Sequence, residues 1–528
     1  MLKLSLLLVL GSLAVSYGYN VLCVFPVPTH SHSQLGKGIV DSLLKAGHTV
    51  TWITPFPEKV GKNPPKTLKI VDVSEVQKFT SEQNLDLNKV TSAKVGLAHV
   101  KQFANNITKS VLTNSAVVDL VVNVQYDAVV TEIFFSDALA GIAAVQQVPW
   151  IVLSGTQLMP MVEQQVDEVR SVSTVPLLFN DASIPMNFKE RAINAFIYIF
   201  MACYNWFIWS DEVALYKQLF TPIASARNVP LPPLEEAYHN VSILLVNAHE
   251  SLSPTFSAPP NVVQIAGYHI NENPPPLPKD LQELLDNSKN GVIYFSMGSV
   301  LRSSGLQAHT RKALLEKFAA LPYTVLWKFE DKIDEKLPPN VHIRPWMPQP
   351  SILAHPNVKV FITHGGQLST LEAVHAGVPL LAIPVFADQP ANAERAVRAG
   401  YALRVTFDPN MADEVDLKLK ELLNNPSFNE RMKYLSKLFR GRPIPPSQLV
   451  SHYIELAIET KGAHHLRSLS LQYTWVQRWL LDIALAVMVV FAVITALLIL
   501  LVTTCYRKIR GLGSKSANKK DLNKKKRN

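Results

Sequence analysis

"FITHGGQLSTLEAVHAGVPLLAIPVFADQ", Phe361 to Gln389, decides the fold. An apolar run enters a His-Gly-Gly turn, a helical pattern follows, and a second apolar run closes at Asp388-Gln389. Short apolar runs on either side of a helical stretch make a βαβ unit of a parallel sheet. Glycines at a strand exit let a ligand approach the backbone. The N–H groups and the dipole at the start of the next helix then form an anion site. Such turns are common connectors, so the surrounding sequence has to carry the argument.

The flanking sequence repeats the unit. "NGVIYFSMGSV", "YTVLWKF", "VHIRPW", "VKVFITHGG" and "VPLLAIPVF" read as a βαβ series, and "SMGS" (Ser296–Ser299) is a second Gly-containing strand exit. Two such turns facing one point suit a diphosphate. Upstream, "NENPPPLPKD" (Asn271–Asp280) holds four prolines in five positions, which excludes helix and central strand and marks a linker, set at 271–289. Before it, "YNVLCVFPVPTHSHSQLGKGIVDSLLKAGHTVTWITPFP" reads as a strand over Val21–Phe25, a helix over Leu35–Ala46 stopped by Gly47, and a second strand. "VVDLVVNVQYDAVVTEIF" and "VPWIVLSG" repeat the strand pattern. Two α/β Rossmann-like domains follow, over 19–270 and 290–445, with a helix in 446–478 returning to the first. Ligands of such sheets bind at the C-terminal ends of the strands, here across a cleft.

Charge and hydropathy place the chain. The net charge is +9, but after Val502 ten Lys or Arg stand against one acid, Asp521, so the excess sits in the tail and nucleic acid is not expected as a partner. Residues 1–18 have the make-up of a secretory signal, and 479–502 are long and apolar enough to span a bilayer, with Trp475 and Trp479 at the front. Arg507, Lys508 and Arg510 behind the span put the tail, 503–528, on the cytosolic side. Lys525-Lys526-Arg527-Asn528 resembles the dilysine address of the endoplasmic reticulum. Two sequons, at Asn106 and Asn240, are candidates for luminal glycosylation. The expectation is a single-pass protein of the endoplasmic reticulum membrane with luminal domains. Residues 192–209 are too apolar for a loop and too aromatic and Asn-interrupted for a span, which leaves an interfacial helix or a buried one. Three cysteines allow at most one disulfide, so the fold rests on its core.

The spacing gives the opening segment its meaning. Trp346 and Gln349 lie in "WMPQ", with Trp346 eighteen residues before His364, Glu372 eight after it, and Asp388-Gln389 at the end. This series, "RPWMPQPSILAHPNVKVFITHGGQLSTLEAVHAGVPLLAIPVFADQPANA", resembles the signature of the UDP-glycosyltransferases, and among them the animal UDP-glucuronosyltransferase type near its arthropod branch. The resemblance covers essentially the whole chain. It implies the GT-B arrangement of two Rossmann-like domains and hexosyl transfer from a UDP-sugar to a small lipophilic acceptor, glucose being favoured over glucuronate. It also implies that Trp346 stacks on uracil and Gln349 binds the nucleoside, while Glu372 takes the ribose hydroxyls. His364, Ser369, Gly366 and Ser299 would then serve the phosphates, and Asp388 with Gln389 the sugar hydroxyls. In one place the chain departs from the family, having Gln367-Leu368 after His-Gly-Gly where plant members usually carry Trp-Asn and vertebrate ones Thr-Asn.

Transfer needs a base, and "PTHSHSQ" offers His30 and His32 at the end of the first strand. In the family the base lies sixteen residues before the His of a Gly-His pair, which from His48 gives His32, with His30 left as a surface neighbour. A neutral imidazole can take a hydroxyl proton near neutral pH. Its orienting carboxylate is Glu132 by register or Asp137 by residue type, the latter favoured for its chemistry. No Asp-x-Asp occurs, so no metal is expected, and no cofactor beyond the UDP-sugar substrate. "GKGIVD" (Gly36–Asp41) falls inside a helix, which removes a nicotinamide oxidoreductase. An inactive relative serving as a binding or partner subunit is the competing class, and a homo-oligomer is compatible with either.

Overall fold

The computed structural model describes residues 18–61, 63–81, 97–169, 171–177, 180, 182, 185–253 and 256–525. Nearly all of the expected signal and the last three residues of the expected retrieval address lie outside these.

The chain divides into a body ending at Ser468 and a segment from Leu469 onward. In the body, seven parallel strands run in the order β3-β2-β1-β4-β5-β6-β7. They are β1 (Asn20–Val24), β2 (Thr49–Thr54), β3 (Leu68–Asp72), β4 (Ala128–Glu132), β5 (Trp150–Ser154), β6 (Val241–Val246) and β7 (Val262–Gln264). A second parallel sheet has the order β10-β9-β8-β11-β12-β13. It comprises β8 (Val292–Ser296), β9 (Thr324–Lys328), β10 (Val341–Arg344), β11 (Val358–Thr363), β12 (Leu380–Ala382) and β13 (Ala402–Arg404). Both sheets are buried on two faces, which is why their strands read as continuous Val/Ile/Leu runs. In each the order reverses once, between β1 and β4 and between β8 and β11. Those are the switch points outside which α/β sheets bind ligands.

The helices that matter for the site are α1 (His30–Lys45), α2 (Leu97–Thr113), α3 (Phe188–Arg227), α4 (Lys279–Asn287), α5 (Gln349–Leu353), α6 (Gln367–Ala376), α7 (Gln389–Arg398) and α8 (Pro446–Glu459). Helix α8 seats Val450, Ile454 and Ala457 in the first domain's core. The expected linker is shorter than its composition suggests, because α4 occupies its second half and buries Leu281 and Leu285 in the second domain. "VVDLVVN" is helical rather than strand, for Asn114 caps Ser115–Asn123 and Val117, Leu120 and Val121 then share its buried face. An unbroken apolar run cannot tell those two states apart.

In the C-terminal segment, Leu481–Lys525 forms one helix, α9. Its stretch Leu481–Gly511 is long and apolar enough to cross a membrane. Helix α3, of 40 residues, passes the same test of length and composition.

Candidate active site

The first switch point assembles an imidazole–carboxylate pair. Pro26 and Pro28 deny further ladder hydrogen bonds to the chain leaving β1, and Thr29 then caps α1, its hydroxyl accepting from His32 N at 3.4 Å. His32 therefore stands in the first turn of α1, one turn earlier than the expected helix and not at a strand end. Its Nδ1 lies 2.6 Å from Oε1 of Glu132, the last residue of β4. The Glu132 side chain is 1% exposed and that of His32 24%. The backbone of Gly155, after β5, closes over the pair so tightly that a Cβ there would sit 3.0 Å from Glu132 Oε1 and 2.6 Å from Leu35. A carboxylate only accepts, so Nδ1 carries the proton and Nε2 keeps its lone pair. Burial alone would lower the imidazole's pKa. The charge and hydrogen bond of Glu132 outweigh it, with Asp388 adding to them, and hold His32 above the usual histidine value.

Asp137 is not His32's partner. Its carboxylate lies 3.1 Å from Lys101 Nζ of α2, which is also 3.4 Å from Glu212 of α3. The sequence preference for Asp137 is corrected by register: a residue that closes β4 faces the strand exit of β1, whereas five residues later the chain has turned away. Phe134 stands between the two positions and sets its ring edge on the His32 imidazole, 4.9 Å between centroids. His30 is no surface residue either. It stacks on Phe56 at 4.6 Å and meets Trp346 of the second domain at 5.7 Å, and its burial, reinforced by Lys59 and Lys328, lowers its pKa.

The second switch point gathers the other residues. His364 follows β11 with its ring between two glycines: a Cβ on Gly298 or on Gly366 would come within 2.5 Å of it. Gly298 moreover holds φ +85°, a conformation side chains avoid. Burial, then the charge of Lys328, push His364 down to about 4, so near neutrality it is an uncharged donor. Gly366 caps α6, and Ser299 sits in the facing turn after β8. Gln349 opens α5 and donates through Nε2 to Ser369 Oγ at 3.1 Å and to Glu372 Oε2 at 2.7 Å, both on α6. Burial raises Glu372 to about 7 against that hydrogen bond. Trp346 presents its ring 62% exposed, an open flat face.

Asp388 and Gln389 do not end a strand as expected. Strand β12 stops at Ala382, Pro384 cannot extend it, and Asp388-Gln389 with Pro390 start α7. Burial raises the Asp388 carboxyl, opposed by hydrogen bonds from Asn392 (2.6 Å) and the Gln367 backbone. Gln389 Oε1 accepts from the backbone of Val385 (2.9 Å) and Phe386 (3.2 Å), so its amide holds the loop that positions its neighbour.

Sequence reading missed three contributors. Lys328 ends β9 and ties the site together, donating to Gly298 O (2.9 Å) and Glu330 (2.8 Å) with its ammonium 5.6 Å from the Trp346 ring centre. A lone Lys closing an apolar strand was the available signal. Arg395, bonded to Asn392, backs Asp388. Gln367, where the chain departs from the family, donates to Asn247 O of the first domain at 3.0 Å, and Leu368 packs on the first domain's core. The departure thus serves contact between the domains. Of the two sequons, Asn106 is exposed on α2, whereas Asn240, also exposed, already accepts from Arg467 at 2.6 Å.

Comparison with known proteins agrees with this geometry. Residues 20–516 match the family described as "UDP-glucoronosyl and UDP-glucosyl transferase". UDP-glucosyltransferase 2 of Dactylopius coccus is 31% identical over 91% of this chain and 92% of its own. UDP-glucuronosyltransferase 2B7 of Homo sapiens is 26% identical over 90% of each. Among solved structures, the glycosyltransferase SnogD from Streptomyces nogalater superposes with a TM-score of 0.55 at 17% identity, over 83% of this chain and all of that one, which shows a shared GT-B fold.

Proposed function

This chain belongs to the UDP-glucoronosyl and UDP-glucosyl transferase family, and from that premise we propose that it transfers glucose from UDP-glucose to a small lipophilic hydroxyl compound by one in-line displacement. The hydrogen bond between His32 Nδ1 and Glu132 carries this reading. It leaves Nε2 to take the acceptor's proton as the acceptor oxygen bonds to the sugar's anomeric carbon. The bond from that carbon to the diphosphate breaks, and UDP leaves with the electron pair. His364 and the amino end of α6 meet the charge that develops on the diphosphate. The imidazolium is held by Glu132, as in a triad.

On the donor side, Trp346 offers the base a face, Gln349 and Glu372 hold the nucleoside, Ser299, Gly366 and Ser369 line the phosphates, and Asp388 takes sugar hydroxyls with Gln389 behind it. Glucose is favoured over glucuronate because Arg395, the cation that backs Asp388, is already bonded to Asn392. A sugar carboxylate would stand near Asp388 instead. The name of the Dactylopius relative supports the same choice. Helix α9 anchors the chain, with the body luminal and the basic tail cytosolic by its charge, in the endoplasmic reticulum.

Asp388→Ala is expected to weaken UDP-glucose binding by roughly 5- to 150-fold, the worth of a lost hydrogen bond of about 1–3 kcal/mol, while binding of UDP changes little. Trp346→Ala should weaken both ligands alike. Calorimetric titration of each ligand decides this: equal losses of UDP and UDP-glucose in the Asp388 variant would make that residue structural.

A further inference from the structure

The first half of helix α3 is built inside out. Soluble helices turn an apolar face inward and a polar face to water. From Ala192 to Ser210 this helix carries no Asp, Glu, Lys or Arg. Its outward residues Phe196, Ile199, Phe200, Trp206 and Phe207 are 57–80% exposed. Ile193, Phe196, Phe200, Cys203 and Phe207 recur at intervals of three and four, so they form one continuous stripe. The polar anchors are on the inside. Asn194, fully buried, accepts from Leu177 N (2.8 Å) and Asn180 (2.9 Å) and donates to Val172 O (2.7 Å) and Val175 O (2.9 Å). Glu212, equally buried, accepts from Asn105 at 2.6 Å and pairs with Lys101.

These anchors lie eighteen residues apart, about 27 Å along a helix, and bracket the stripe from Phe196 to Phe207. Crossing a bilayer would strip both anchors of the partners that hold them in the body. The helix is therefore long and apolar enough to span, yet fixed along its length to the body.

We propose that the outer face of α3 docks in the plane of a lipid bilayer, as a second, non-spanning membrane contact. A bilayer is the occupant because α9 of the same chain is long and apolar enough to enter one. The stripe has the aromatic, uncharged make-up of an interfacial face, with Lys189 and Arg191 just before it at headgroup level. This inference is independent of the transfer chemistry.

The test uses the full chain with Cys505→Ser. The exposed Cys203, on the stripe itself, is then the labelling site, since Cys23 is buried. Cys203 receives an environment-sensitive fluorophore, and the protein is reconstituted into phosphatidylcholine vesicles holding lipids spin-labelled near the headgroup or at the bilayer centre. In-plane docking predicts stronger quenching by the shallow label than by the deep one, and loss of quenching by iodide present on both sides of the membrane. Phe200→Asp combined with Phe207→Asp should restore iodide quenching while circular dichroism and UDP binding stay as in the parent. Iodide access in the parent protein would overturn the proposal, and so would strongest quenching by the deep label, which marks a second span. Shielding that appears only as the protein-to-lipid ratio rises would put a second copy of this chain on the face, and would equally overturn it.

Discussion

Replacing His32 by alanine should lower glycosyl transfer by roughly 10²–10⁴-fold, the usual contribution of a general base, and leave UDP binding nearly unchanged. In the proposed mechanism the imidazole takes the acceptor's proton, whereas the nucleotide is assigned to Trp346, Gln349 and Glu372 on the other domain. Alanine also strands Glu132, whose Oε2 already lacks a hydrogen-bond partner. Stability must therefore be followed in parallel, with His32→Gln as the variant that can still donate to the carboxylate. His30→Ala should behave differently. Its ring packs between Phe56 and Trp346, so the loss should fall on the KM for the donor more than on kcat. Wild-type turnover of a phenol by His32→Ala would remove the base from this mechanism.

Glu132→Gln is the second large effect expected. The amide keeps the shape but not the charge that stabilises the imidazolium, and a change of this type in a catalytic triad costs about 10⁴-fold in kcat. Asp137→Asn should instead keep turnover within an order of magnitude of wild type and lower thermal stability, because it weakens the Lys101 cluster. The pH dependence separates the two carboxylates further. His32 must be neutral to act, and with its pKa held above 6.5 the activity should climb on a limb above that value. Removing the Glu132 charge leaves burial as the largest influence, so the limb should move to lower pH. Stability follows the opposite sign: the raised His32 stabilises the fold fully below pH 6.5, and this contribution is lost as pH rises through the folded-state pKa. If the Glu132→Gln profile kept the wild-type limb, some other group would be holding the base.

Much of this was legible in the chain because strand exits in a parallel sheet are short and punctuated. Phe361–Gln389 announced its turn through Gly365-Gly366, and Gln349 meets Ser369 and Glu372 across two elements because one βαβ unit has little freedom in length. Residue type misled where register did not. From sequence, Asp137 was the better chemical match, but only pairing of β1 with β4, Cys23 opposite Val130 and Val24 opposite Thr131, puts Glu132 beside His32. Asp388-Gln389 looked like a strand end because hydropathy continues through Val385 and Phe386, whereas backbone pairing had already stopped near Pro384. Lys328 and Gln367 act through partners 30 and 120 residues away, Gly298 and Asn247, which no local pattern encodes. Helix α3 stayed undecided for a related reason, since its composition is that of a buried helix or a membrane one, and only its exposure tells them apart.

The central claim is a single displacement at the anomeric carbon by an acceptor that His32 deprotonates. Its most direct test is the configuration of the product formed by the full-length protein from α-linked UDP-glucose and a phenol, read from the anomeric proton coupling by NMR. The account predicts the β-glucoside together with UDP, formed roughly 10²–10⁴-fold more slowly by the His32→Ala variant. An α-glucoside would require a second displacement or a different face of attack, and would contradict it.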